Sequence, residues 1–334
     1  MVEELYHELT KAIGAGDSKI IPKIFEGLCT PVEARFLLSA SPPRTAEELA
    51  AGTGLSIEKV EDMISSLFQR GLLFKSRKPD GIRYYRVRHI MQFHDATILS
   101  DDISKDILDL WKEHTKKELP EFFWTMKNAT GRAPGRVIPI HHTIRPQNQV
   151  LDKEDVRAYI QKAKSLAVTR CTCRVSSGNC DKPLEVCLQL DKSADYSIER
   201  GSGRSVTKDE ALDIMKKAEN EGLIHKAENR AGRITMLCNC CTCCCVDWSS
   251  EEVMSIPVAG PSRFCAEIDE GICSECGICV ETCAFDALCI NDDGSSIPFV
   301  DKEKCLGCGV CAVRCPDEAI SLNEVREPDY IPAD

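Results

Sequence analysis

Eight cysteines near the end of the sequence carry its plainest chemistry. Cys273, Cys276, Cys279 and Cys283 are followed thirty-two residues on by Cys305, Cys308, Cys311 and Cys315, and both runs read C-x2-C-x2-C-x3-C. Thiolates are soft ligands that select zinc or iron–sulfur clusters. Two-residue gaps let a tight loop wrap three sulfurs round a cubane, and the three-residue gap starts a helical turn that carries the fourth sulfur away. Zinc sites normally use paired C-x2-C hooks instead, so the spacing points to two [4Fe–4S] clusters. Gly307 and Gly309 suit such a loop, because glycine accepts positive φ and close backbone approach.

The double run resembles the two-cluster bacterial ferredoxin family over about residues 266–325. Pro316 follows the last cysteine as that pattern expects, whereas Ala284 stands at the equivalent place in the first run. A short apolar segment follows each run, so the unit is an internal repeat. In this type of run the fourth cysteine serves the other cluster. The expected ligand sets are therefore Cys273, Cys276, Cys279 and Cys315 for one cluster, and Cys305, Cys308, Cys311 and Cys283 for the second.

The elements that must hold these ligands are read from the rest of the chain. Its 334 residues suggest two or three domains, and 43% hydrophobic content is enough for ordinary cores. Of the 21 cysteines, only Cys29 precedes residue 150; ten lie between 151 and 250 and ten beyond. The N-terminal part thus reads as an ordinary globular module and the remainder as built round metal. The start, Met1-Val2-Glu3-Glu4-Leu5, is charged and without an apolar h-region, and no run approaches a membrane span. The expectation is a cytoplasmic protein of an anaerobe, since so many cluster-forming thiolates invite oxidation.

The net charge of −11 is uneven: residues 266–334 hold sixteen acidic against four basic side chains. An acidic ferredoxin face steers encounter with a basic patch on a redox partner protein and argues against nucleic acid at that end.

Residues 1–92 read as helices and a hairpin. Pro31 opens one helix, Thr45 and Glu48 form a capping box for a second, and Ser56 caps a third whose apolar stripe is Val60, Met63, Ile64 and Leu67. Strand-like runs then flank Lys78-Pro79-Asp80-Gly81, a strong turn signal. Three helices and a hairpin over about 28–90 resemble a winged helix-turn-helix. Glu58, Glu61 and Asp62 on the would-be recognition helix disfavour a phosphate-lined groove, so protein docking is expected rather than DNA binding. Residues 93–135 read as a helical connector.

The centre, residues 136–264, reads as an α/β cysteine-rich domain. Asp152 is expected to cap a helix, and a strand from Leu166 runs into Cys171 and Cys173; Cys180 and Cys187 follow. A second helix opens at the Thr207–Glu210 capping box, and a strand over Ile234–Leu237 runs into Cys238, Cys240, Cys241, Cys243, Cys244 and Cys245. If the two strands are neighbours, their cysteine-bearing ends converge. Residues i and i+2 of an extended chain share a direction while i+1 points away, so six cysteines in eight residues cannot all face one cubane. One or two further iron–sulfur clusters are expected here. Arg174 is a candidate donor to cluster sulfur. Cys265, outside both C-terminal runs, is a further candidate for the central site.

The sequence therefore describes an α+β multidomain protein with a winged-helix-like start, a cysteine-rich centre and a ferredoxin-like domain from 265 to 334. This arrangement resembles a group of iron–sulfur proteins of anaerobes. The favoured function is relay of single electrons between the two C-terminal clusters, a central cluster and a redox partner. A redox-sensing winged-helix regulator, or an oxidoreductase with an open central iron, are the rivals. No nucleotide-binding loop supports flavin or nicotinamide.

Overall fold

Side chains that satisfy the free amides of each first turn fix where the N-terminal helices start. The computed structural model describes residues 2–145, 154–248, 259–290 and 296–333. In it α1 (Val2–Ala12), α2 (Ile21–Leu28), α3 (Pro31–Ser39), α4 (Ala46–Thr53) and α5 (Ile57–Gln69) precede a hairpin of β1 (Leu73–Lys78) and β2 (Gly81–Arg86). Thr30 and Thr45 each form a reciprocal capping box, with Glu33 and Glu48, and Ser56 accepts from the Lys59 amide. Val60, Ile64 and Leu67 are buried, as the stripe requires. A backbone bridge between Arg44 and Tyr84 lays a third extended segment beside the hairpin.

These elements belong to a first compact unit, Met1–Phe122 with Thr172–Ser177 and Arg200–Ser202. Its core centres on α6 (Ile90–Ile98) and α7 (Lys105–Lys117). Phe93 stacks on Phe25 at 4.1 Å and meets Trp111 edge-on at 5.1 Å. The buried Trp111 indole donates to Thr97 Oγ1 at 3.1 Å, so its polar edge is satisfied. The short helix Thr172–Ser177 joins this unit through Thr172 Oγ1 donating to Asp95 at 2.9 Å and Lys112 donating to the Ser177 carbonyl at 2.7 Å.

The second unit comprises Phe123–Cys171, Gly178–Glu199 and Gly203–Asp334. Seven strands form its main sheet: β3 (Gly135–Val137), β4 (Leu166–Arg170), β5 (Glu185–Leu190), β6 (Gly203–Ser205), β7 (Ile224–Glu228), β8 (Met236–Cys240) and β9 (Ala259–Gly260). Their order is β6-β4-β5-β8-β7-β3-β9, and every neighbouring pair is antiparallel except β3 with β9. The helix Lys208–Asn220 is capped by Thr207, whose Oγ1 accepts from the Glu210 amide. The C-terminal segment adds a pair of β10 (Phe264–Ile268) with β13 (Ile320–Glu324), and a smaller pair of β11 (Leu288–Ile290) with β12 (Pro298–Val300).

Three expectations need correction or fall outside the described residues. The strand expected at Ile234–Leu237 instead spans Met236–Cys240, so two cysteines lie within it. It is not the neighbour of β4: β5 intervenes, its Val186, Leu188 and Leu190 alternating inward as a half-buried strand requires. Asp152 lies outside the described residues, and Asp155 caps the helix Val156–Lys162.

A buried ion-pair network ties the C-terminal segment to the turn before the helix Val156–Lys162. Arg263, 3% exposed, donates from its backbone to Glu154 at 3.0 Å and pairs with both Glu154 and Glu324 through its guanidinium. Removing Glu154 deprives the buried Arg263 of the acceptor for its amide and its Nε and leaves it only Glu324, so Glu154→Ala is expected to cost about 3 kcal/mol in urea unfolding of the anaerobic protein. In the first unit, burial alone would raise the Glu33 carboxyl, but hydrogen bonds from Arg70 and from the Thr30 amide hold it below the usual carboxylate value. Its stabilising contribution is then complete above that ordinary value, declines below it and is lost as pH falls through the lowered folded value. Wild type should lose melting temperature on acidification more steeply than Glu33→Gln.

Candidate metal centres

Rare backbone conformations aim the C-terminal sulfurs. Residues of positive φ recur at the same places in the two runs: Glu275 and Gly307 (φ 61° and 64°), Gly277 and Gly309 (73° and 86°), Asp286 and Glu318 (49° and 54°). The repeat read from cysteine spacing is thus a repeat of chain path. Glycine at 307 answers space as well as φ, since a Cβ there would sit 2.1 Å from the Phe264 carbonyl oxygen.

Two cavities follow from this path. One, of about 320 Å³, is lined by Cys273, Cys276, Cys279 and Cys315 together with Ile268, Ile278 and Ile320. The other, of about 490 Å³ and partly open to solvent, is lined by Cys283, Cys305, Cys308 and Cys311, with Ala266, Leu288 and Leu322 among its apolar walls. Each cavity takes three cysteines from one run and the fourth from the other. Four soft donors around an apolar pocket fit a [4Fe–4S] cluster.

Backbone amides are turned to the sulfurs. Ala287 donates to Cys283 Sγ and Ala319 to Cys315 Sγ, each at 3.3 Å, while Glu275 donates to Cys273 Sγ at 3.4 Å and Ala266 to Cys305 Sγ at 3.5 Å. Such donors stabilise ligated thiolate and raise cluster potential. Burial pushes the Cys308 thiol up to about 12. A hydrogen bond from Cys265 draws Cys305 down to about 6, against burial, with the Ala266 amide assisting. Cys265 is thus buried beside a ferredoxin cysteine, on β10. Bound metal supplies the charge that lets the remaining thiols ionise.

In the centre, Cys180, Cys241, Cys243 and Cys244 converge, their sulfurs all within 4.8 Å of one another. Cys180 Sγ lies 3.8 Å from Cys241 Sγ and 3.7 Å from Cys244 Sγ, and Cys243 Sγ is 3.8 Å from Cys244 Sγ. Asn179 clamps the loop by donating to the Cys243 carbonyl at 2.8 Å. Burial opposes ionisation of Cys180, but the Lys182 amide and the neighbouring thiols hold its pKa below the usual value. Cys243 is exposed while Cys241 and Cys244 are buried, so this is a rim site with one face to solvent.

The other predicted central residues lie elsewhere. Cys171 directly follows β4, Cys187 lies on β5, Cys238 and Cys240 lie on β8, and Cys245 follows the rim loop. Cys173 and Arg174 lie on the short helix Thr172–Ser177 of the first unit, Arg174 buried and Cys173 half-buried. Sequence reasoning missed Lys226, whose ammonium pairs with the buried carboxylate of Asp247. Burial pushes Asp247 up to about 6 although Lys226 opposes it. A lysine alternating with apolar residues on a strand looks like an outward-facing charge, and only strand pairing reveals its cysteine neighbours.

Residues 298–321 match the family of 4Fe-4S binding domains, a span that contains the whole second cysteine run. A search of curated proteins finds no match for the chain. The chain therefore carries a C-terminal 4Fe-4S binding domain beside a separate cysteine cluster at 180–244. Among the described residues no helix is long and apolar enough to cross a membrane.

The crossed cavity linings yield a test. Cys283→Ala should deplete the cluster otherwise held by the second run, and Cys276→Ala the other. Electron paramagnetic resonance of the reduced variants is expected to show a different surviving signal in each, with about four irons lost per chain.

Proposed function

We propose that this chain is an iron–sulfur electron-transfer protein. It relays single electrons through two C-terminal [4Fe–4S] clusters to or from a central cysteine-ligated centre and a partner protein. One observation carries the reading: Cys308, from the wall of the second ferredoxin cavity, packs against the apolar cluster that contains Cys240 and Cys245 of the centre. Backbone contacts support the same closeness, since the Ile140 amide, just beyond β3, donates to the Cys308 carbonyl at 3.0 Å. Ligands of two redox sites in one packed core suit transfer through bonds and short gaps.

The sixteen acidic against four basic side chains of residues 266–334 support docking to a basic partner surface. The helices and hairpin of the first unit support a winged-helix reading of that segment, and the acidic face of α5, with Glu58, Glu61 and Asp62, favours protein over DNA as its partner.

Anaerobic iron and acid-labile sulfide analysis tests the relay. About eight irons per chain would confine clusters to the ferredoxin segment and refute a central redox centre; twelve or more are expected. The dithionite-reduced chain should also be oxidised faster by hexaammineruthenium(III) than by ferricyanide once driving force is allowed for. Raising the salt concentration should shrink that difference.

A further inference from the structure

Six cysteines of the centre remain outside the rim site; Cys173 lies on the helix Thr172–Ser177 of the first unit, and the register of the main sheet gathers the other five. β8 pairs with β7 so that Cys240 faces Ile224, Asn239 faces His225 and Cys238 faces Lys226. Alternation along a strand therefore puts Cys238, Cys240 and Lys226 on one face of the sheet and His225 and Asn239 on the other. On that other face His225 and Asn239 satisfy each other through a 2.5 Å hydrogen bond. β5 carries Cys187 into the same neighbourhood: Leu188 pairs with Leu237 on β8, and Cys187 pairs with Thr169 on β4. Cys171 lies two residues beyond Thr169, its amide bound to the Leu184 carbonyl at 2.8 Å.

The side chains form a continuous series of thiols. Cys187 is within hydrogen-bonding reach of Cys171 and Cys238, Cys238 of Cys240, and Cys240 of Cys245. Cys171, Cys240 and Cys245 are buried, and Cys187 and Cys238 half-buried. Along the chain this set interleaves with the rim set, 238, 240 and 245 belonging to one and 241, 243 and 244 to the other.

Packing alone does not account for the arrangement. A sheet interior is ordinarily filled by valine, isoleucine and leucine, and it has no use for an ammonium. Yet Lys226 is drawn inside, paired with Asp247, and its ammonium faces Cys238, Cys240 and Cys245. Burying such a pair costs desolvation, and an additional negative charge among the sulfurs would offset that cost.

We propose that Cys171, Cys187, Cys238, Cys240 and Cys245 form a second central site, separate from the rim, which holds an iron–sulfur cluster on four of its five sulfurs. Lys226 balances part of the cluster's charge. Because Cys240 and Cys245 share an apolar cluster with Cys308, this buried centre is the one that exchanges electrons with the ferredoxin segment. The inference rests on the relay reading for its role, but not for its existence.

The test uses the full chain, reconstituted anaerobically with ferrous iron and sulfide. Cys187→Ala with Cys238→Ala should lose about four irons while the rim site keeps its metal, and Cys180→Ala with Cys243→Ala should lose the rim metal while those four irons stay. The quadruple variant should lose the sum of both, with the ferredoxin resonance signals retained throughout. Full iron in the first variant would overturn the proposal. So would two double variants that each remove the same iron, with no further loss in the quadruple, because that describes one shared centre. Zinc in place of iron at the buried set would overturn it as well. Should the cysteine variants misfold, Lys226→Gln tests the site independently: it should keep the iron and lower the midpoint potential of one centre only, and unchanged potentials would refute the assignment. Absence of the ferredoxin signals from wild type would instead sink the relay reading and leave the central iron count standing on its own.

Discussion

Thiolates brought together repel one another, and much of the second unit is arranged around that repulsion. Twenty of the 21 cysteines lie between Cys171 and Cys315. Metal ions supply most of the compensating charge in such sites, yet the polypeptide must hold the sulfurs near one another before and after metal arrives. It does so with amides directed at Cys273, Cys283, Cys305 and Cys315, and with a lysine drawn into the sheet. Backbone dipoles achieve this without adding an ion that must itself be desolvated. Glu275, Asp286 and Glu318 occupy left-handed conformations at some energetic cost, which the turns around the cavities impose.

The two halves of the metal-binding region solve the problem differently. In the ferredoxin segment loops do the aiming, and the repeated pattern of positive φ makes the two chain paths alike. In the centre β8 sends Cys238 and Cys240 to one face, while the loop that follows it brings Cys241, Cys243 and Cys244 to Cys180. Loops set three sulfurs of one short run beside a fourth from its repeat, whereas strands bring together cysteines from distant parts of the chain, as Cys187 and Cys238 illustrate.

Much of this was legible in the sequence where the determinants are local. The capping box at Thr45 and the caps at Ser56 and Thr207 depend on residues three apart and stand where the sequence indicates, although the Glu210 carboxylate pairs with Arg204 instead of closing a box with Thr207. The C-x2-C-x2-C-x3-C spacing carries its own geometry, so the crossed composition of the two cavities could be anticipated. Strand order could not. Whether β4 and β8 touch depends on β5, whose six residues gave a weak signal beside the cysteines around them. The gathering of Cys238 and Cys240 beside Lys226 was hidden for the same reason, because it depends on cross-strand register. The Asp155 cap shows a smaller difficulty: with acidic residues at both 152 and 155, local propensity does not choose between them.

The parallel pairing of β9 with β3 bears on modularity. Ala259 and Gly260 complete one edge of the seven-stranded sheet only a few residues before β10 begins the ferredoxin segment, and Arg145 reaches back to bind the Leu322 carbonyl at 3.1 Å. The ferredoxin segment is therefore no bead on a string. Cutting it away ahead of β9 would strip an edge strand from the sheet and bare a row of amides, while a graft that began at β10 would arrive without its anchoring strand. Moving this segment to another protein would have to carry part of the neighbouring sheet with it.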